Sequence, residues 1–162
     1  MGTKKTKTNA LRLLDQAKID YRLVEYEYDP DNLDVAKIAA DNELELGQVY
    51  KTLVCKGDRS GPVVAVVPGD RQLNLKQLAQ LSGNKKAHLL PLAQLTAVTG
   101  YQRGGCSPLG MKKNYPVFLD QAARQWPEIL INAGSRGLLF GIHPRDLEQV
   151  IEGIGWGKIT DE

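Results

Sequence analysis

The chain has 162 residues, 42% of them hydrophobic and 25% charged, the composition of one globular domain long enough to close a core. Its formal net charge of +2 neither demands nor excludes a nucleic-acid partner, because clustering of Lys and Arg on one face matters more than their sum. Two scattered cysteines (Cys55, Cys106) and two isolated histidines (His88, His143) exclude a zinc-hydrolase ligand set, so no metal and no cofactor is expected.

Met1 to Thr8 carries Lys4, Lys5 and Lys7, with no apolar stretch behind them to make a secretory signal. It reads as a flexible basic tail, residues 1–8, ahead of a single domain over residues 9–162. No apolar run is long enough for a bilayer, so a cytoplasmic protein with no membrane partner is expected. Ala10, Leu11, Leu14 and Ala17 recur at helical spacing. Tyr21 to Tyr28 reads as a strand with Val24, Tyr26 and Tyr28 on one face, and Asp29 to Asn32 as a loop. Asp34 is placed to cap a helix through Val35, Ile38 and Ala39. Val49 to Lys56 reads as a strand, ended by Gly57-Asp58. Pro62 to Val67 is an apolar run bounded by Gly61 and Pro68, the pattern of a central strand covered on both faces. Asn74 is placed to cap a helix through Leu75, Leu78 and Ala79 that stops at Gly83. Lys86 to Leu90 follows as a short strand and Pro91 to Val98 as a helix closed by Gly100.

Tyr101 to Asn114 holds Gly104, Gly105, Pro108 and Gly110 without periodicity and reads as a long structured loop. Val117 to Leu119 and Glu128 to Ile131 are strands, Asn132 to Gly137 a second glycine-rich turn, and Leu138 to Ile142 the returning strand. Pro144 suits the first turn of a last helix with Leu147, Val150 and Ile151 inward. Strands outnumber a strict βαβ alternation, so the expected class is α/β with a mixed, curled or barrel-like sheet and flanking helices. The absence of GxGxxG and Walker sequences argues against a doubly wound nucleotide fold.

Three features carry chemistry. Lys51 lies in the otherwise apolar strand Val49-Tyr50-Lys51-Thr52-Leu53-Val54. Burying an unpaired ammonium is costly, so Lys51 either meets an anion such as phosphate in a cleft or points to water from an edge strand. In Gly104-Gly105-Cys106-Ser107-Pro108-Leu109-Gly110, glycines allow close backbone approach and N–H donation to a ligand oxygen. Ser107, before Pro108, is biased to extended backbone; a plain surface loop is the alternative. Asn132-Ala133-Gly134-Ser135-Arg136-Gly137 is either a second wall of the same cleft or a hairpin connection. Cys55 and Cys106 read as packing residues, since neither histidine is placed by sequence to serve a catalytic thiol. Lys112-Lys113 is either a phosphate contact or a solvated turn.

Together, Tyr50-Lys51-Thr52-Leu53, the GGCSPLG loop and the NAGSRG segment occur in the order and spacing of the YbaK-type aminoacyl-tRNA editing domain, and the chain resembles that family from Ala10 to its C-terminus. Tyr26 with Asp29-Pro30, and Leu73-Asn74-Leu75-Lys76, add to the resemblance. It implies a freestanding deacylase that clears cysteine from tRNA(Pro), a task in which binding alone discriminates poorly between small side chains. It also implies that Lys51 holds the phosphate of the terminal adenosine and that Gly104 and Gly105 present backbone donors near the scissile ester. Tyr26, Ser107, Asn132 and Gly134 would line the substrate site. The partners implied are the tRNA acceptor end and prolyl-tRNA synthetase. The family mechanism uses neither metal nor protein nucleophile: the substrate's cysteine thiol attacks the ester carbonyl and the ribose oxygen leaves, while the protein positions the ester and stabilises the oxyanion. Cys106 stands where an aliphatic residue is usual, Asn132 where a serine is, and Val35 where an aromatic is. The rival readings are editing of another misacylated tRNA, such as Ala-tRNA(Pro), and a non-catalytic tRNA- or nucleotide-binding module.

Overall fold

The computed structural model describes residues 7–161. Lys4 and Lys5 lie outside them. Lys7 pairs with Asp15, and Thr8 caps the first helix by accepting from Leu11 N–H at 3.2 Å and donates to Ala133 O.

Eight strands form one mixed sheet: β1 (Arg22–Glu25), β2 (Val49–Gly57), β3 (Gly61–Pro68), β4 (Ala87–Leu89), β5 (Val117–Asp120), β6 (Ile129–Ser135), β7 (Leu138–Ile142) and β8 (Gly155–Gly157). Their order is β1-β7-β6-β2-β3-β5-β8, with β4 also paired to β2. The two end strands are not paired to each other, so the sheet is an open path and not a closed barrel. The β2–β3, β6–β7, β1–β7 and β2–β4 pairs are antiparallel, whereas β2–β6, β3–β5 and β5–β8 are parallel.

β3 is the central, doubly covered strand. Val64 and Val66 enter the main core with α1 (Asn9–Gln16), while Val63, Ala65 and Val67 pack with Leu78 of α3 (Leu75–Leu81) on the opposite face. The side-chain period of two divides the run between two cores. α2 (Val35–Asp41) covers a third cluster, in which Ile38 meets Tyr26, Val49, Leu130 and Leu139. Both expected caps form: Asp34 accepts from Ala36 N–H at 3.4 Å and Asn74 from Gln77 N–H at 2.9 Å.

Several elements differ from the sequence expectation, the first being β1, which ends at Glu25 and leaves Tyr26 and Tyr28 outside the strand. Asn132 to Gly137 is not a turn: β6 runs on to Ser135, and only Arg136-Gly137 turns back. A register shift between Asn132 and Ser135 absorbs the glycine, with Gly134 at φ +101°, so a bulge took the place of a loop. Pro91 to Val98 splits into a 3-10 turn (Leu92–Gln94) and α4 (Leu95–Thr99), closed by Gly100 at φ +86°. The last helix is a 3-10 segment (Pro144–Gln149) capped by His143, whose Nδ1 accepts from Arg145 N–H at 3.1 Å. β8 follows it, three residues too short to show a strand period, and held by parallel pairing to β5.

Asp120 ties the C-terminal segment to this frame. It is 2% exposed, accepting from Ile159 N–H at 2.9 Å, Thr160 Oγ1 at 3.2 Å and Ala122 N–H at 3.0 Å. Asp120→Ala orphans those donors and is expected to lower the unfolding free energy by about 2–3 kcal/mol, read from the urea midpoint at unchanged slope. A loss below about 0.5 kcal/mol, the range of an ordinary surface substitution, contradicts this role.

Candidate functional site

The site begins with a fault in the sheet. β2 pairs with β3 along its whole length, from Tyr50↔Pro68 to Gly57↔Gly61. Its other edge has two partial neighbours. β6 pairs only with Val49 and Tyr50. β4 pairs with Cys55 to Gly57, extended by Leu90 N–H donating to Val54 O at 2.9 Å. Residues 51–53 therefore have no strand on that edge, and a cleft of about 460 Å³ opens against them, a size suited to one small ligand or the end of a larger one. Alternate residues of a strand address alternate neighbours. Val54 O reaches β4, so the backbone N–H and C=O of Thr52 face the gap. The Thr52 hydroxyl is also buried without a partner.

Lys51 lies on this open segment, half-buried, and lines the cleft. Desolvation lowers its pKa from the usual lysine value, and the charges of Asp34 and Asp70 oppose that. It forms no ion pair among the described residues. An ammonium held partly out of water without a counter-ion is a receptor for an anion.

The opposite wall is the loop from Tyr101 to Pro116, which is ordered by its own hydrogen bonds. Tyr101 Oη donates to Leu109 O at 2.6 Å and Tyr115 Oη to Val98 O at 2.8 Å. Two side chains of β6 and its turn fasten it to the sheet. Asn132 Nδ2 donates to Gly104 O at 2.9 Å, and Arg136 Nε donates to Arg103 O at 2.8 Å. Gly105 is needed for close approach: a Cβ there would sit 3.1 Å from Arg136 N and 3.2 Å from Ser135 C. Asn132 also donates to Tyr26 Oη at 3.4 Å and accepts from Gly134 N–H at 2.7 Å. One amide thus joins β6, the bulge, the loop and Tyr26. Tyr26 is buried, and desolvation raises its pKa.

Of the residues singled out in the sequence, Tyr26, Lys51, Gly104 and Asn132 line the cleft together. Gly105, Ser107 and Gly134 do not. Gly105 N–H is already donated to Gln102 O at 2.9 Å. Ser107 is fully buried in the loop, its hydroxyl accepting from Leu109 N–H at 3.3 Å. Gly134 shapes the bulge behind Asn132. Sequence reading passed over Arg103, which is exposed at the rim, and Asp34 and Leu92, which also line the cleft. Arg103 had a signal, since it directly precedes the glycine pair. Leu92, 62% exposed, had none, because its place at the mouth follows only from where β4 ends.

Cys106 lines the cleft too, but burial pushes its thiol up to about 11 and that of Cys55 likewise to about 11. No histidine lines the cleft, and among the described residues no group of three or more His, Cys, Asp or Glu could hold a metal. Among the described residues, no helix is long and apolar enough to cross a membrane.

Fold and cleft define a compact α/β protein whose pocket offers a cation, backbone amides and an apolar rim in place of a nucleophile–base pair. The chain belongs to the aminoacyl-tRNA editing domain family, which matches residues 29–150. It is 44% identical, over 94% of both chains, to Enterococcus faecalis EbsC, whose name proposes a Cys-tRNA(Pro)/Cys-tRNA(Cys) deacylase. It is 32% identical to the multifunctional Ser/Thr-tRNA deacylase ProXp-y of Escherichia coli, over 80% of this chain and 78% of that one. In fold it matches a protein proposed to be a trans-editing enzyme for prolyl tRNA synthetase, with a TM-score of 0.79 at 22% identity, covering 97% of this chain and all of the other.

With both thiols near 11, neutral thiol is the form present at pH 8. Alkylation of the native protein by iodoacetamide is expected to be slow at pH 8, to accelerate only as the pH approaches 11, and to become fast at pH 8 in urea. Rapid native labelling of Cys106 at pH 8, followed by peptide mass, overturns the packing assignment.

Proposed function

We propose that the protein deacylates Cys-tRNA, with Cys-tRNA(Pro) as its editing substrate, in the cleft beside Lys51. The observation that carries this is the lysine on the open edge of β2, without an ion pair among the described residues and facing a glycine loop, in a pocket where the Cys106 thiol is buried with no histidine in the lining. Lys51 takes the phosphate of the terminal nucleotide. Gly104 meets the ester, and Tyr26 and Asn132 close the wall behind it. Gly105, Ser107 and Gly134 act through the backbone that they shape. The substrate thiol forms the S–C bond, the C–O bond to the ribose breaks, and the thiol proton ends on the ribose oxygen. Water then hydrolyses the released thioester ring. The protein contributes placement and oxyanion stabilisation.

Deacylation of Cys-, Ala-, Ser- and Pro-tRNA(Pro) by wild type and Lys51→Ala tests this. Loss of cysteine alone is expected, with kcat/KM reduced by about 100-fold in the variant, the scale on which a buried charged contact is lost. Hydrolysis of the serine and alanine esters at rates matching cysteine favours the second reading, water-dependent editing, for which the likeness to a Ser/Thr-tRNA deacylase speaks. Hydrolysis of none leaves only the binding module.

The protein acts in translation, in the cytoplasm, and takes its choice of tRNA from prolyl-tRNA synthetase. The chain is small, and a cleft of about 460 Å³ receives little beyond the acceptor end. Purified protein is expected to deacylate Cys-tRNA(Pro) and Cys-tRNA(Cys) at rates within about threefold, less than 1 kcal/mol of discrimination, and to separate them when the synthetase is added. Strong preference without the synthetase overturns that partnership.

A further inference from the structure

Arg136, the cation of the second glycine-rich segment, has no place in the chemistry so far. It forms no ion pair among the described residues, and its Nε hydrogen is donated to Arg103 O at 2.8 Å. That bond fixes more than the loop's position. The peptide unit joining Arg103 and Gly104 is trans, so its C=O and N–H point in opposite directions. Holding the carbonyl towards Arg136 turns the Gly104 N–H away from it. Among the described residues that N–H has no hydrogen-bond partner, and Gly104 lines the cleft. The following peptide unit is used at both ends: Gly104 O accepts from Asn132 Nδ2 at 2.9 Å, and Gly105 N–H donates to Gln102 O at 2.9 Å. Of the two amides in the Gly-Gly pair, one is therefore spent inside the loop and the other is left free to donate.

We infer that Arg136 is a positioning residue that aims the Gly104 N–H at the carbonyl oxygen of the bound ester, making it a donor to the oxyanion. The inference rests on the deacylase reading. Preset donors that need no reorientation during the reaction supply large stabilisation; a loop free to rotate this peptide loses it. Asn132 and Arg136 together hold two successive carbonyls, those of Gly104 and Arg103, so neither peptide can flip without breaking a side-chain bond.

The donor atom is Nε, and glutamine carries its Nε2 at the same distance along the side chain. Arg136→Gln therefore keeps the donor and removes the charge, whereas Arg136→Ala removes both. On Cys-tRNA(Pro), Arg136→Ala is expected to lower kcat by about 10- to 100-fold with KM within about threefold, and Arg136→Gln to retain most of kcat. The backbone amide resonance of Gly104, followed by NMR in the free protein, is expected to move in Arg136→Ala and hold its place in Arg136→Gln. Equal losses in both variants, appearing in KM and shrinking as salt is added, overturn the inference and make Arg136 a contact to the RNA backbone. A Gly104 resonance unmoved by Arg136→Ala overturns it as well. Wild type inactive on Cys-, Ala- and Ser-tRNA(Pro) overturns the deacylase reading instead, and the resonance still reports whether Arg136 sets the amide.

Discussion

The cleft exists because β2 is fully hydrogen-bonded on one edge and only partly on the other. β6 supports it at Val49 and Tyr50, β4 from Cys55 to Gly57, and neither reaches residues 51–53. A strand left open in the middle of a sheet keeps unpaired backbone groups, and here it also keeps a buried hydroxyl without a partner at Thr52. Full pairing with β3 on the opposite edge holds this open segment rigid. Lys51 is thereby carried on a strand fully paired along one edge, half out of water and without an ion pair among the described residues.

Across the cleft the support has a different origin. The loop from Tyr101 to Pro116 has no sheet or helix to shape it, and its side chains provide the order: Tyr101 and Tyr115 bond back to main-chain carbonyls, and Asn132 and Arg136 reach over from β6 and its turn. Asn132 links most of the wall. Its amide joins Tyr26, the Gly104 carbonyl and the Gly134 N–H, which explains how an asparagine can stand where the family resemblance leads one to expect serine. A longer side chain with both a donor and an acceptor spans the wall.

Much of the fold was legible in local pattern. β3 showed itself as an apolar run between Gly61 and Pro68, α3 by its Asn74 cap and Gly83 stop, and the 101–114 loop by its lack of period. Lys51 stood out because an apolar strand gives an ammonium no solvation. What local pattern misread were segments whose state depends on a partner strand. Asn132 to Gly137 carries turn residues yet is mostly strand, since pairing with β7 outweighs propensity. β8 has three residues and is strand only because β5 lies alongside. Ser107 and Gly105 were placed on the cleft by motif, but the loop turns them inward.

By itself the sequence determined the elements that carry their own caps or periods, the family and the residue types at the site, because caps, periods and motif spacing are local or nearly local properties. Tertiary structure decided which of those residues share a surface. The gap at residues 51–53 depends on where two distant strands stop, and the direction of the Gly104 N–H depends on a side chain 32 positions away. Hydrogen-bond direction and strand termination are relations between segments, so they appear only when the segments meet.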